Sequence, residues 1–331
     1  MVNKVLITGG AGFIGSNFVR LILDEPDIDK IVVLDNLTYA GSLDNLADVI
    51  DNTRVQFIKG DIADAEVSRK AMDGANWVIN FAAESHVDRS LSEASPFMRT
   101  NIEGVRVLLE LARDLKPQRF LHISTDEVYG PVHSGETDEN APLKPSSPYS
   151  ASKAAADMLC NAFIVSFDVP VIIARSANNY GPYQYPEKLI PRFVSLAMQN
   201  KPLPLYGDGK YVRDWLYVED NCRALLLILR KGEIGETYNI GASELHENIT
   251  IAKLMLDILE KPHSLLTHSN DRLGHDRRYC VNWDKIKKLG WSPKAKFAEK
   301  FQETVHWYKE RSEWIEKKSK EAERFYTTKS A

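Results

Sequence analysis

Two short segments hold most of the side chains able to do chemistry. Thr125-Asp126-Glu127-Val128-Tyr129-Gly130 sets two carboxyl groups side by side, and Tyr149-Ser150-Ala151-Ser152-Lys153 sets a phenol and an ammonium four residues apart. On a helix, that i, i+4 spacing puts Tyr149 and Lys153 on one face. Tyrosine normally ionises near pH ~10, so it needs help to act as a base at neutral pH. A cation about 4 Å away at an effective dielectric of ~20 contributes roughly 4 kcal/mol, or ~3 pKa units before desolvation opposes it. The same spacing also occurs on ordinary helix surfaces, so the pair takes its meaning from its surroundings. A phenol and an ammonium suffice for a hydride transfer; two further acids do not belong to that chemistry. Neighbouring carboxyls resist ionising together, which suits one acid and one base. The combination predicts an elimination coupled to a redox step. Adjacent residues on a regular strand face opposite ways, so Asp126 and Glu127 can serve one site only where the strand has ended and the chain turns.

The elements that must hold these groups follow from the hydrophobic pattern. Nearly continuous apolar runs at 4–8, 31–34, 55–59, 77–81, 120–124 and 169–174 read as strands covered on both faces. Helical patterns at 13–23, 96–115 and 149–167 lie between them, and Pro148 suits a helix start just before Tyr149. Repeated strand–helix–strand units predict an α/β fold with a doubly wound parallel sheet. From about Asn178 the texture changes: Pro182, Pro186, Pro191, Pro202 and Pro204 crowd into loops and short elements. Helix-like stretches recur at 189–199, 220–230 and 251–259, and 297–325 reads as an amphipathic helix with a charged outer face. We expect residues 1–177 to form the sheet domain and residues 178–331 a smaller mixed C-terminal lobe, with an interleaved boundary.

Gly9-Gly10-Ala11-Gly12-Phe13-Ile14-Gly15 follows the first strand and opens the first helix. Glycines at 9, 12 and 15 allow a tight turn, close approach to a pyrophosphate and close helix–strand packing, the fingerprint of a Rossmann dinucleotide site. The helix N-terminus supplies free N–H groups and a favourable dipole for the anion. Asp35, twenty residues beyond Gly15, is placed to accept hydrogen bonds from a ribose and would repel a 2′-phosphate, which favours NAD over NADP. Asp61, after the third strand, is a candidate for the adenine edge.

A chain of 331 residues can bury a large core, and 44% hydrophobic with 27% charged residues is ordinary for a globular protein. The net charge of −4 gives no support for nucleic-acid backbone binding. Cys160, Cys222 and Cys280 are far apart, show no metal-ligand spacing and are expected to be inert thiols in a reducing compartment. The start, Met-Val-Asn-Lys-Val-Leu-Ile, leaves no room for a signal peptide, and no apolar run is long enough for a bilayer. The expectation is a cytoplasmic protein with neither membrane nor nucleic-acid partner and no metal.

The glycine-rich start, Ser124-Thr125 after a strand and the Tyr149/Lys153 pair resemble the extended short-chain dehydrogenase/reductase family. Within it, the segment 125–130 is similar to that of the nucleotide-sugar 4,6-dehydratases. The likeness extends through Ala82-Ala83-Glu84-Ser85-His86-Val87-Asp88-Arg89-Ser90, Asn178-Asn179-Tyr180-Gly181-Pro182-Tyr183 and Pro186-Glu187-Lys188-Leu189-Ile190-Pro191. Arg213-Asp214-Trp215 and Gly274-His275-Asp276-Arg277-Arg278-Tyr279 continue it, so nearly the whole chain is covered in order. Asn36 stands where lysine is common, Leu273 where proline is usual, and 241–248 departs from the usual form.

This resemblance implies a nucleoside-diphosphate hexose substrate, dTDP-glucose above others, turned into a 4-keto-6-deoxy sugar and water with NAD as cofactor. Tyr149 would take the C4 hydroxyl proton, with Lys153 holding the cofactor ribose and lowering the tyrosine pKa and Thr125 orienting the hydroxyl. Glu127 would take the C5 proton and Asp126, kept protonated, would donate to the departing C6 hydroxyl. Implied cofactor contacts are Gly9, Gly12, Phe13, Ile14, Gly15, Asp35, Asn36, Thr38, Gly41, Asp61, Ile62, Phe81, Ala82, Ala83, Ser85, Thr100, Tyr149, Lys153 and Asn179. Implied substrate contacts are Ser85, His86, Thr125, Asn178, Lys188, Leu189 and His275. Arg213, with Arg272 or Arg278, is a candidate diphosphate clamp, because a guanidinium can bond phosphate bidentately. Pro204 and Tyr206 form a candidate slot for the base, whose edge Asn248 would meet. Thymidine against uridine stays open, as do a UDP-glucose 4,6-dehydratase, a 4-epimerase or decarboxylase, and a non-catalytic dinucleotide sensor. A homodimer through the helical regions 96–115 and 149–167 is also implied.

Overall fold

The computed structural model describes residues 2–328. Its core is a parallel sheet of seven strands: β1 (Val5–Thr8), β2 (Ile31–Asp35), β3 (Val55–Lys59), β4 (Trp77–Asn80), β5 (Arg119–Thr125), β6 (Val171–Ser176) and a late arrival, Thr237–Ile240. Three further strands precede that one, β7 (Asn178–Tyr180), β8 (Leu203–Tyr206) and β9 (Val212–Tyr217), so it is β10. The order across the sheet is β10-β6-β5-β4-β1-β2-β3. Alternation along β1 shows why its run is wholly apolar: Val5 and Ile7 enter one hydrophobic cluster while Leu6 enters the cluster on the opposite face. Phe18, Val19 and Ile22 of the Phe13–Leu23 helix cover the first face; Leu108, Ala112, Cys160 and Phe163 cover the second. Chain order reverses between β1 and β4, and the crevice beyond their carboxyl ends is where such sheets take ligands.

Past residue 178 the chain does not leave the sheet for good. The Val218–Lys231 helix and β10 return to it, with β10 pairing in parallel with β6. What lies outside is a small mixed sheet, β11 (Leu245–Glu247), β9 and β7, and a parallel pair, β8 with β12 (Leu266–Ser269).

Two predicted helices are interrupted. Residues 96–115 are not one regular helix: a short turn at Ser95–Phe97 runs into a π-helical stretch, Met98–Gly104, before the α-helix Val105–Leu115. The wide turn brings Gly104 so close to Ile62 that a Cβ would lie 2.6 Å from its side chain. It also lets Asn101 bond both the N–H and the carbonyl of Glu84. Residues 297–325 form two helices, Phe297–Glu310 and Ser312–Thr328, parted at Arg311. The three cysteines are buried and unpaired. Among the described residues no helix is long and apolar enough to cross a membrane.

Candidate active site

The glycine-rich turn closes because Gly9 and Gly15 lack side chains. Gly9 has a positive φ of 68°, and a Cβ there would lie 2.5 Å from the Ala82 nitrogen; at Gly15 it would lie 2.4 Å from the Gly9 carbonyl. Gly12 caps the Phe13–Leu23 helix with no side-chain hydrogen bond, leaving its N–H groups for an anion. Asp35 ends β2 and is locked by two main-chain donors, Ala11 N–H at 2.9 Å and Leu37 N–H at 2.8 Å. Each of its oxygens keeps a lone pair for a ribose hydroxyl. Gly41 sits so close that a Cβ would reach 2.7 Å from the Asp35 carboxylate. Asn36, Thr38, Asp61, Ile62, Phe81, Ala82, Ala83 and Thr100 line the same crevice. Asp61 is also held by Arg99 at 3.0 Å.

Beyond the turn the crevice widens into a cleft lined by Gly9, Gly12, Phe13, Ile14, Gly15, Phe81, Ala83, Ser85, Thr125, Asp126, Glu127, Tyr149, Lys153, Asn178 and Asn179. These residues fit NAD: a cradle any Cβ would fill, a helix terminus for the pyrophosphate, and an anchored acid for the ribose.

β5 ends at Thr125, and residues Asp126–Tyr129 form a single 3₁₀ turn, so the chain has turned where the two acids require it. The Thr125 hydroxyl accepts the Glu127 N–H at 3.3 Å and donates to Asp126 Oδ1 at 3.2 Å. Asp126 is buried, and its Oδ2 has no protein partner. Burial, helped by the charge of Glu127, pushes its pKa up to about 8, which keeps it protonated at neutral pH. Glu127 is also raised by burial, but Lys188, Arg213 and Arg272 pull it back toward the ionised form. Two adjacent acids are thus divided into a proton donor and a base by what surrounds each.

Ser147 caps the helix Pro148–Phe167 in a reciprocal capping box with Ser150, which fixes the first turn and Tyr149 in it. Lys153, one turn on, is buried and donates to the Ile123 carbonyl at 2.7 Å; burial lowers its pKa to about 8. The expected lowering of the tyrosine by Lys153 is not what the protein chain alone provides. Burial raises Tyr149 well above its ordinary value, the charges of Glu127 and Asp126 raise it further, and the group that lowers it is the hydroxyl of Thr125, by a hydrogen bond.

A second cavity opens from the same seam. Glu127, Tyr149, Asn178, Asn179 and Lys188 line both cavities, and His86, Leu189, Pro204, Tyr206, Arg213, Asn248, Arg272 and His275 line the second. Arg213 is buried, held by the carbonyls of Val212 and Asp276, and stacks over Tyr279 at 4.5 Å. Arg272 pairs with Asp88 at 2.8 Å and lies over Tyr206 at 4.9 Å. His86 is buried among cations and His275 is pushed down to about 4 by burial, so both are neutral. Arg278 is a correction: it lines neither cavity and donates to the carbonyls of Val132 and Gly135. Its backbone bridges Val212 while its guanidinium is taken up by those two carbonyls, so of the two candidates it is Arg272 that lines the cavity with Arg213.

Three lining groups escaped the sequence reading. Arg192 lies one turn beyond Lys188 on the helix Leu189–Met198 and lines the second cavity; the i, i+4 spacing was the available signal. Glu187 accepts Arg89 Nε at 2.6 Å in a buried pair that ties the two cavities together. Tyr279 lines the second cavity and donates to Asp276 at 2.7 Å. Glu187 and Tyr279 stand in segments that carry the family resemblance, which was the available signal for them.

The likeness to known proteins is continuous along the chain. The family model of GDP-mannose 4,6 dehydratase matches residues 6–304. The low-salt glycan biosynthesis protein Agl12 of Haloferax volcanii is 49% identical over 304 residues, covering 92% of this chain and 98% of that protein. The dTDP-glucose 4,6-dehydratase of Streptomyces niveus is 44% identical, with 95% of each covered. The crystal structure of DesIV, a dTDP-glucose 4,6-dehydratase from Streptomyces venezuelae with NAD bound, superposes with a TM-score of 0.92 at 46% identity, covering 94% of this chain and 98% of that one. With its glycine cradle, its Tyr149/Lys153 helix and its paired acids in one cleft, this chain belongs to the GDP-mannose 4,6 dehydratase family of extended short-chain dehydrogenase/reductases.

Proposed function

We propose that this chain is an NAD-dependent hydro-lyase that converts dTDP-glucose into dTDP-4-keto-6-deoxyglucose and water. The observation that carries this reading is the division of Asp126 and Glu127 into a protonated and an ionisable carboxyl at the seam of the two cavities, beside Tyr149. NAD, held by the glycine turn, Asp35 and Lys153, would supply the two-electron oxidant for C4 and, once reduced, the hydride for C6. Tyr149 takes the C4 hydroxyl proton, and Thr125 orients that hydroxyl. The C4 ketone acidifies the neighbouring C–H, so a carboxylate suffices to remove the C5 proton, and Glu127 fills that role. Asp126 protonates the C6 hydroxyl as it leaves. Arg213, Arg272, Lys188 and Arg192 surround the diphosphate, and Pro204, Tyr206 and Asn248 take the base. Lys153, with Asp35 at the far end, holds the cofactor's ribose groups.

Incubation with dTDP-glucose and mass analysis of the product tests this reading: a dehydratase removes one water, an epimerase leaves the mass unchanged, and a sensor returns the substrate. Glu127→Gln should keep NAD binding and nearly abolish water loss and solvent-deuterium incorporation at C5. Normal product from that variant would remove Glu127 from the mechanism. In the same reading, residues 178–331, less the stretch that returns to the parallel sheet, act as the substrate lobe, and the protein works in the cytoplasm. A homodimer is supported by exposed apolar side chains on the 96–115 and 149–167 regions: Met98, Met158, Val165 and Phe167. Light scattering of the wild type against Val165→Glu tests that assembly, which predicts a shift to monomer.

A further inference from the structure

The dehydration proposed above, on which this inference rests, asks two pairs of side chains to act on neighbouring carbons of one sugar. Tyr149 and Lys153 serve C4, while Asp126 and Glu127 serve C5 and C6. The pairs stand on different elements, the helix Pro148–Phe167 and the 3₁₀ turn Asp126–Tyr129. A misplacement of about 1 Å between reacting groups costs on the order of 100-fold in rate. The helix must therefore be fixed against the turn, and the interior behind both holds a guanidinium. Arg175 lies on β6, in register between Ser124 of β5 and Asn239 of β10, and is 4% exposed.

We propose that Arg175 is a positioning residue that holds the redox pair and the acid pair at a fixed separation, with one donor on each element. The Arg175 Nε donates to Asp157 Oδ2 at 2.8 Å. Asp157 is fully buried and follows Lys153 by one turn, as Lys153 follows Tyr149, so the three share one side of the helix. The Arg175 Nη1 donates to the Tyr129 hydroxyl at 2.8 Å, and the guanidinium lies over the Tyr129 ring at 4.8 Å. Tyr129 closes the turn that begins at Asp126, and its hydroxyl donates onward to Asn239 Oδ1 at 2.8 Å. The turn is thus hung from the end of β5 on one side and from β6 and β10 on the other. A guanidinium is planar and keeps its charge, so the angle between its two donors is fixed. The second oxygen of Asp157 is backed by the sheet. Thr8 donates to Asn80 Oδ1 at 2.6 Å, which leaves the Asn80 amide N–H for His122 Nδ1 at 3.3 Å. The His122 proton then sits on Nε2, 3.7 Å from Asp157 Oδ1. Stability alone does not account for this arrangement, since desolvating two charges offsets most of their attraction and apolar residues of similar volume often fill a core as well. The ion pair adds direction. Arg175, Asp157 and Tyr129 line neither the crevice nor the two cavities, so they act only through the residues they hold.

The two arms can be cut separately in the holoenzyme turning over dTDP-glucose. Tyr129→Phe cuts the arm to the turn and leaves the Asp157 pair intact. C4 oxidation, read in a single turnover by the absorbance of the reduced nicotinamide, should stay within about twofold of the wild type, while water loss slows at least ~tenfold and reduced cofactor accumulates. Arg175→Met together with Asp157→Leu replaces the buried pair by apolar side chains of similar volume. This double variant should keep the wild-type Tm and substrate KM, because neither residue touches substrate, yet slow oxidation and water loss each by at least ~tenfold. A pair that served only the fold would leave kcat unchanged under the same replacement. Wild-type kcat in the double variant, or an unchanged ratio of oxidation to water loss in Tyr129→Phe, overturns the positioning role. Should the double variant not fold, Tyr129→Phe, which removes a single hydroxyl, decides alone by that ratio. No dehydrated product from the wild type would instead defeat the functional reading itself.

Discussion

The two cavities meet negative charge by opposite means. Among the described residues no lysine or arginine lines the adenosine crevice, where the glycine turn and the helix terminus offer main-chain N–H groups. The substrate cavity gathers Lys188, Arg192, Arg213 and Arg272 from three separate stretches of chain. Main-chain donors are fixed once the turn is closed, at the cost of forbidding side chains at Gly9 and Gly15. Cations tolerate variation in the backbone but must be brought together by the whole fold. They also act on more than the diphosphate: three of them favour the ionised form of Glu127, while Asp126 stays protonated. The substrate cavity is thus where binding charge and catalytic charge are the same groups.

The sharpest way to break this contrast is at the cradle. Gly9→Val places a Cβ 2.5 Å from the Ala82 nitrogen, at a positive φ that a branched side chain resists. It should abolish NAD binding by calorimetry and lower Tm markedly. Arg213→Ala should raise the substrate KM about thirtyfold or more, since losing one partner of a buried charge-assisted bond costs roughly 2–5 kcal/mol. NAD affinity should be unchanged, and added salt should raise the KM while leaving the NAD affinity nearly flat. A comparable loss of NAD affinity would show that the two cavities share their electrostatics.

A pH profile sharpens the contrast further. Asp126 must carry a proton, and its pKa is raised to about 8, so kcat should fall as pH rises through about 8 and the acid ionises. Asp126→Asn should remove that limb along with most of the water loss, and NAD affinity should stay flat over the same range. Arg278→Ala should have the smallest effect. It removes hydrogen bonds to the carbonyls of Val132 and Gly135, at roughly 1 kcal/mol of stability, and should leave the substrate KM unchanged. A large rise in KM would return Arg278 to the substrate cavity.

The glycine turn, the Tyr149/Lys153 helix and the turn at Asp126–Glu127 were legible in the residues, because each depends on neighbours within a few positions; the parallel sheet was legible through its local apolar runs and their alternation with helices, although its strands pair over long range. The start and end of the Phe13–Leu23 helix, for instance, follow from its own apolar period. The return of β10 to the sheet edge, the π-helical stretch at Met98–Gly104 and the break at Arg311 were not, since each answers to packing against distant segments. The same limit applies at the site. Sequence alone named both acids and two candidate partners for Arg213, but only the assembled fold chose Arg272 over Arg278, added Arg192 and Glu187, and gave the two acids different surroundings. Local geometry is set by short-range sterics and hydrogen bonds, which sequence spacing encodes. A pKa or a binding field is a sum over charges and burial from the whole molecule, and no stretch of chain contains that sum.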